Sequence, residues 1–252
     1  MRLSYDLHIH SCLSPCGDND MLPSNIVGMA ALKGLNAIAV TDHCSCLNCP
    51  AVEKLAKAYG VVALFGMELT TEEEVHVLCL FDELEKAMEF GKYIRTQYLD
   101  IMNVPEIFGE QLIVDEEDNI TGKEDILLIN ATKIGFEQVF GLTEKYGGVM
   151  IPAHVEKKAN SLLANLGAVP EDSKFTCFEM KHIGYLDQIR EENPYFKGCR
   201  VISNSDAHYL EHINEPINFI EAEERSASAI LKALKGTTFQ AVDKPPSASS
   251  TT

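Results

Sequence analysis

Basic charge is scarce in this chain: 21 Lys and Arg stand against 38 Asp and Glu, a formal net charge of -17 over 252 residues. Surfaces that track a phosphate backbone draw on clustered Lys and Arg, so this balance argues against long nucleic acid as a partner. It favours solubility and says little about fold. No apolar run approaches the roughly 18 residues of a membrane span, and no membrane partner is expected. The N-terminus reaches a predicted strand almost at once, leaving no room for a signal peptide, which points to a cytoplasmic protein. Eight cysteines without an export signal read as reduced thiols rather than a disulfide framework. There is no repeat of solenoid type. Nothing in the sequence bears on oligomeric state.

What is present is enough apolar residue, 46%, for one large α/β domain, and an unusual placing of histidines. The organising stretch is Tyr5-Asp6-Leu7-His8-Ile9-His10-Ser11. In a strand alternate side chains share a face, so His8 and His10 converge on one side while Leu7 and Ile9 point to the other. Two buried histidines satisfied by backbone carbonyls would be the plain alternative. The ligand-type residues further along the chain weigh against it.

After a loop at 11–21, a helix opens at Pro23-Ser24 and stops at Gly34. Residues 36–41 form a continuous apolar strand of the kind buried on both faces, ending at Asp42-His43. A helix at about 51–59, stopped by Gly60, leads to a strand at 61–67 that ends at Glu68, and a strand at 75–80 carries His76. An insertion at about 82–147 is expected to hold helices at 83–98 and 132–145. Between them lie two extended pieces at 111–114 and 125–129, with an acidic turn at 115–119. Alternation resumes with a strand ending in Pro152-Ala153-His154, a helix near 161–166, strands at 175–180, 200–203 and 217–220, and a helix at 226–235. Residues 244–252 have the composition of a disordered tail.

The strand-end residues are His8, His10, Asp18, His43, Glu68, His76, His154, Asp206 and His208. Histidine mixed with carboxylate suits zinc, manganese or iron rather than magnesium or calcium. Nine candidates exceed what one ion takes, so more than one ion is implied. Ligands gathered at strand ends are expected where an α/β barrel presents its active site.

These segments, Asp6 to Ser11, Thr41-Asp42-His43, Gly66-Met67-Glu68, the His76 strand, Pro152-Ala153-His154 and Asn204-Ser205-Asp206-Ala207-His208, resemble the motifs of the polymerase and histidinol phosphatase (PHP) family, in order and across most of the chain. The resemblance implies a distorted (β/α)7, TIM-barrel-like domain over residues 1–243. It also implies a di- or trinuclear centre hydrolysing phosphate esters through a metal-activated hydroxide. By matching motif, one ion falls to His8, His10, Glu68 and Asp206. A second shares Glu68 and adds His76 and His154. A third takes His43 and His208 with a residue from the loop after the first motif, where Asp18 is the candidate and Asp20 lies close by. Glu68, Asp206 and His208 are the residues on which catalysis is expected to turn.

Ions a few Å apart lower the pKa of bound water and hold both oxygens of an in-line displacement at phosphorus. Asp6 and Asp42 stand beside ligand histidines, where a carboxylate often accepts the second ring N–H; capping or turn roles are the alternative. Lys157, Lys158 and Lys181 are candidates for gripping phosphate. Where the family often has an acidic residue followed by Arg after Pro-Ala-His, this chain reads Val155-Glu156-Lys157-Lys158. Glu179 and His182 lie near a strand end, with a merely polar end the simpler reading for His182. Cys44, Cys46 and Cys49 follow the His43 motif, with Cys12 and Cys16 in the neighbouring loop, but the paired spacing of a zinc ribbon is missing.

The expected activity is hydrolysis of a small phosphorylated metabolite or nucleotide. Three readings compete with it. A nuclease or oligonucleotide phosphodiesterase is disfavoured by the acidic balance, and a non-catalytic metal-binding module sits badly with a complete ligand set. A C–N hydrolase of the amidohydrolase type shares the His-x-His strand but calls for a bridging group from a middle strand, and the later histidines match it poorly.

Overall fold

A computed structural model describes residues 1–236; the tail expected at 244–252 lies outside the described residues. The elements run β1 (Arg2–Ile9), α1 (Pro23–Lys33), β2 (Ala37–Val40), α2 (Cys49–Tyr59), β3 (Val62–Thr70), β4 (His76–Phe81), α3 (Leu84–Arg95), α4 (Pro105–Phe108), β5 (Leu112–Val114) and β6 (Ile120–Lys123). They continue with α5 (Phe136–Lys145), β7 (Val149–Pro152), α6 (Leu162–Leu166), β8 (Cys177–Glu179), α7 (Leu186–Glu192), β9 (Arg200–Ile202), β10 (Phe219–Glu221) and α8 (Ala227–Lys235).

The main sheet has the order β10-β1-β2-β3-β4-β7, and β8 pairs with β9. Two backbone links curl these pieces into a ring at one rim. Val155 N–H donates to the Glu179 carbonyl at 3.0 Å, joining the end of β7 to β8, and His10 N–H donates to the Ala207 carbonyl at 2.9 Å, joining the loop after β9 to the end of β1. The result is a distorted, TIM-barrel-like α/β fold of seven strands, with β10 added antiparallel beside β1. Parallel pairing holds through β1, β2 and β3. β4 runs antiparallel to both β3 and β7, so its first residue, His76, sits at the rim where β2 and β3 end.

One buried cluster draws on all seven strands: Leu3, Tyr5 and Leu7, Ala37 and Ala39, Leu64, Leu78 and Leu80, Val149 and Ile151, Cys177 and Ile202. Only the inside of a ring collects residues this way, and Ile230, Leu231 and Leu234 of α8 close its floor. Outside the ring, α1 and α2 pack on Ile9, Ile38 and Val40, while α3, α5 and α6 cover β3 and β4 through Phe65, Met67, Val77 and Phe81.

The inserted segment differs from expectation in one strand. Its second extended piece is β6 at Ile120–Lys123, not residues 125–129, because the Asp115 carboxylate accepts from the backbone N–H of Glu117 and Asn119 and turns the chain back at once. The next helix likewise begins later, at Phe136. The β5–β6 hairpin lies against the loop after β1, with Leu112 N–H on the Cys12 carbonyl at 2.9 Å.

Gly66 faces inward on β3, where a Cβ would lie 2.0 Å from the Cys79 carbonyl oxygen of β4. Any side chain must therefore push two paired strands apart. Gly66→Ala should cost roughly 1–3 kcal/mol of stability, read as a lower urea midpoint at unchanged slope; an unchanged midpoint would show that the strands tolerate the separation.

Candidate metal centre

Glu68 ends the inward face of β3 and is 1% exposed. Five imidazoles surround its carboxylate. Oε1 lies 3.0 Å from His76 Nδ1, 3.1 Å from His154 Nε2 and 3.3 Å from His8 Nε2. Oε2 lies 3.2 Å from His43 Nδ1 and 3.4 Å from His10 Nε2. Asp206 closes a further side, its Oδ1 3.5 Å from His8 Nε2 and 3.4 Å from His10 Nε2. Three groupings of ligand atoms are close enough to hold an ion: His8, His10 and Glu68; His43, Glu68 and His76; and His10, His43 and His208.

Simple alternation delivers some of these residues and not others. Glu68 follows Leu64 inward, and His76 precedes Leu78 and Leu80. His8 does not follow Leu7 outward. Leu7 stays inside with Leu3 and Tyr5, Ile9 faces α1 and α2, and the strand register shifts between Asp6 and Ile9. That irregularity turns His8 and His10 into the site, so the expectation that Leu7 and Ile9 share the opposite face fails there. His154 similarly follows the inward Ala153 and still reaches the cluster, by adopting φ 30°. Asp206 stands at φ 52°. Such backbone is costly for non-glycine residues and persists where surrounding structure enforces it.

Hydrogen bonds set the ring nitrogens. His8 Nδ1 lies 3.1 Å from both oxygens of the buried Glu179, so the N–H donates there and Nε2 is left facing Glu68 and Asp206. Glu179 also accepts from His154 N–H and from Asn204 Nδ2. The Ser14 hydroxyl donates to Asp42 Oδ1 at 2.7 Å and accepts from His10 Nδ1 at 3.0 Å, which frees His10 Nε2 in the same way. His208 Nδ1 donates to the Asp206 carbonyl at 2.9 Å. Asp42 thus acts through Ser14 on His10 rather than on adjacent His43. Asp6 accepts from the N–H groups of Ser205 and Asn214, and so anchors the Asp206 loop instead of a ring. Asn204 joins Leu7 N–H to Glu179. His43 Nδ1, His76 Nε2 and His154 Nδ1 are buried without a hydrogen-bond partner. Of these, His43 Nδ1 faces Glu68 Oε2, and a buried ring nitrogen beside a carboxylate fits a divalent cation, which satisfies both.

The electrostatics reflect this crowding. Burial alone would raise the pKa of Glu68, but the imidazoles of His76 and His8 outweigh it and hold the carboxyl well below the usual range. Burial disfavours the His8 cation, yet Glu179, Glu68 and Asp206 raise its pKa well above the ordinary value. For His43, burial and the neighbouring His10 act together and lower it well below. His208 is pushed down to about 4 by burial and by His10.

The remaining candidates divide. Lys157 Nζ lies 3.0 Å from Asp206 Oδ2 and is 44% exposed at the rim. Lys181 donates to the Ser205 carbonyl, tying the loop, and Lys158 is exposed. His182 N–H donates to Glu156, away from the cluster. Asp18 is in none of the three groupings: its Oδ1 accepts from Asp20 N–H within its own turn, and the side chain of this loop that meets His208 is Cys16, with Sγ 3.1 Å from Nε2. In sequence alone Glu179 and Cys16 carry minor weight, and Ser14 carries none. Only the offset of Glu179 from a strand end hints at its role.

The PHP domain family model matches residues 6–223. An uncharacterised protein of Methanocaldococcus jannaschii is 35% identical over 92 residues, covering 33% of this chain and 54% of the relative. A 5'-3' exoribonuclease of Haemophilus influenzae is 33% identical over 92 residues, covering 35% of this chain and 32% of the relative. These matches span about half or less of the relatives' own length. Among solved structures, endonuclease Q in complex with a 27-mer duplex bearing an abasic lesion at the active site aligns with a TM-score of 0.64 at 20% identity, covering 96% of this chain and 58% of that one. The last likeness bears on the fold. It also overturns the exclusion of long nucleic acid and the restriction to small substrates, because a neighbour of this architecture holds a long duplex. Net charge averages over the whole surface, whereas a polyanion meets the local field at a metal-bearing rim.

The geometry can be tested at two residues. Glu179→Gln keeps the shape but weakens the acceptor for His8, and should lower metal affinity roughly 10–100-fold, read by competition with a chelator; unchanged affinity would reduce Glu179 to a strand-end residue. In metal-stripped protein His208 titrates near 4 folded and near 6.5 unfolded, so the unfolded chain binds more protons between those values. Stability should therefore fall as pH drops from 6.5 to 4, by on the order of 2–3 kcal/mol from this group. Urea titrations of His208→Asn should show a shallower fall, and an equal slope would contradict the assignment.

Proposed function

The chain belongs to the PHP domain family of metal-dependent phosphoesterases, and from that premise we propose that this hydrolase of phosphate esters cuts phosphodiester bonds of nucleic acid at a centre of two or three zinc, manganese or iron ions. The observation that carries the reading is Glu68, whose Oε1 faces His76, His154 and His8 and whose Oε2 faces His43 and His10. His8, His10, Glu68 and Asp206 would hold one ion, and Glu68, His76 and His154 a second. His43 and His208 belong to the third position. When bound, such ions stabilise charge on the phosphoryl group and acidify water enough for attack near neutral pH.

The protein's own groups prepare that chemistry. Glu179, Ser14 and the Asp206 carbonyl fix the rings of His8, His10 and His208 so that their free nitrogens converge. Lys157 neutralises Asp206 while its head remains at the rim, where it can donate to a phosphate oxygen. Exposed aromatics stand in the loops that leave the rim strands: Tyr209, 46% exposed and next to His208 in the chain, with the His212 ring at 5.3 Å, and Tyr185, 56% exposed after β8. Unpaired bases stack on rings of this kind without sequence preference, which supports a strand passing over the rim despite the acidic body. The endonuclease fold likeness and the stretch shared with an exoribonuclease support the same substrate class.

To test this, protein stripped of metal and reloaded with zinc, manganese or iron would be offered a single strand, a duplex with an abasic lesion and a phosphate monoester. Cleavage of a nucleic-acid strand is expected, lost by at least about 100-fold in Glu68→Gln while circular dichroism shows the fold intact. Phosphate release from the monoester with no strand cleavage under any metal would overturn the proposal. Lys157→Ala should raise KM for the strand about tenfold with a smaller change in kcat; equal KM would remove Lys157 from phosphate binding.

A further inference from the structure

We propose that Cys16 supplies a thiolate ligand to the ion at His43 and His208, making this position a histidine–thiolate site; the proposal rests on the metal-centre reading above. Cys16 Sγ lies 3.1 Å from His208 Nε2. Because His208 Nδ1 donates to the Asp206 carbonyl, Nε2 carries the lone pair that faces the sulfur. Sulfur and nitrogen on one tetrahedral zinc stand about 3.5 Å apart, so the pair is spaced for a shared cation. On binding, the S–H bond gives its proton to solvent and the sulfur donates the pair to the ion.

A second observation points to the same place independently. His10, His43 and His208 bring ring nitrogens within 4.8 Å of one another, and His43 Nδ1, on a side chain 3% exposed, has no hydrogen-bond partner. The position of Cys16 is itself enforced. Ser14 N–H donates to the Ser11 carbonyl, Gly17 N–H to the Ser14 carbonyl and Asp18 N–H to the His208 carbonyl, all at 2.9–3.0 Å. A Cβ at Gly17 would lie 2.4 Å from the Ser11 carbonyl oxygen, and one at Gly109 of the inserted segment 2.3 Å from the Pro15 carbonyl oxygen. The loop is thus wound tightly on one side and backed on the other. Ser14, two residues before Cys16, sets the ring of His10, so one short turn serves two ligands. Asp18 Oδ1 on the same turn accepts from Asp20 N–H. A thiolate beside imidazoles favours zinc or iron over manganese at this position.

The test uses the full chain loaded with Co²⁺, where a thiolate ligand gives a charge-transfer absorption in the near ultraviolet that nitrogen and oxygen ligands lack. The other cysteines are buried, so the band reports Cys16. In Cys16→Ala the band should vanish with loss of about one metal equivalent, while the Glu68-centred ions remain. Cys16→Asp should restore that equivalent without the band. A full metal count and an intact band in Cys16→Ala, or loss of the equivalent in Asp18→Ala instead, would overturn the assignment and leave the metal-centre reading standing. Wild-type protein that takes up no Co²⁺ would overturn both.

Discussion

A single buried carboxylate, ringed by five imidazoles, is the interaction on which this molecule depends. Glu68 is 1% exposed, and an ionised carboxylate that deep is costly unless cations meet it on several sides. Here the compensation comes from β1, β4 and the segments after β1, β2 and β7, so none of these can move without exposing that charge. Divalent ions would compensate the same carboxylate with neutral imidazoles, whose rings Glu179, Ser14 and the Asp206 carbonyl orient. Stability and chemistry are coupled through this one group.

The barrel supplies convergence, and its irregularities supply aim. A regular strand would have sent His8 and Leu7 to opposite faces; the register shift in β1 keeps both inside, one in the floor and one in the site. His154 enters by a positive φ directly after Ala153, and Asp206 stands in left-handed backbone where the chain returns to β1. These are the places where local preference yields to the site, as expected where function is built.

Much of this is legible in the residue pattern. Residues that obey alternation, such as Glu68 and His76, can be placed from period alone, and His43 from a buried strand ending in Asp-His. Helix stops at Gly34 and Gly60 are equally plain. The contacts that escape such a pattern join residues distant in sequence. Glu179 reaches His8 across 171 residues, and Cys16 reaches His208 across 192, so neither pairing leaves a local signal. The antiparallel sense of β4, which carries His76 to the rim from the start of its strand, has no signature in a six-residue apolar run. Charge balance could not exclude nucleic acid for a different reason: total charge is a property of the whole surface, while recognition belongs to the local field at a site.

Central to the proposed arrangement is that the two oxygens of Glu68 would serve different ions. Anomalous diffraction from crystals of the metal-loaded protein, collected at the absorption edge of the bound element, addresses this most directly. At least two peaks are expected, each about 2.0–2.2 Å from a different Glu68 oxygen, one also bound by His8 and His10 and the other by His76 and His154. Ions coordinated by histidines alone, with the Glu68 carboxylate bound to none, would contradict it.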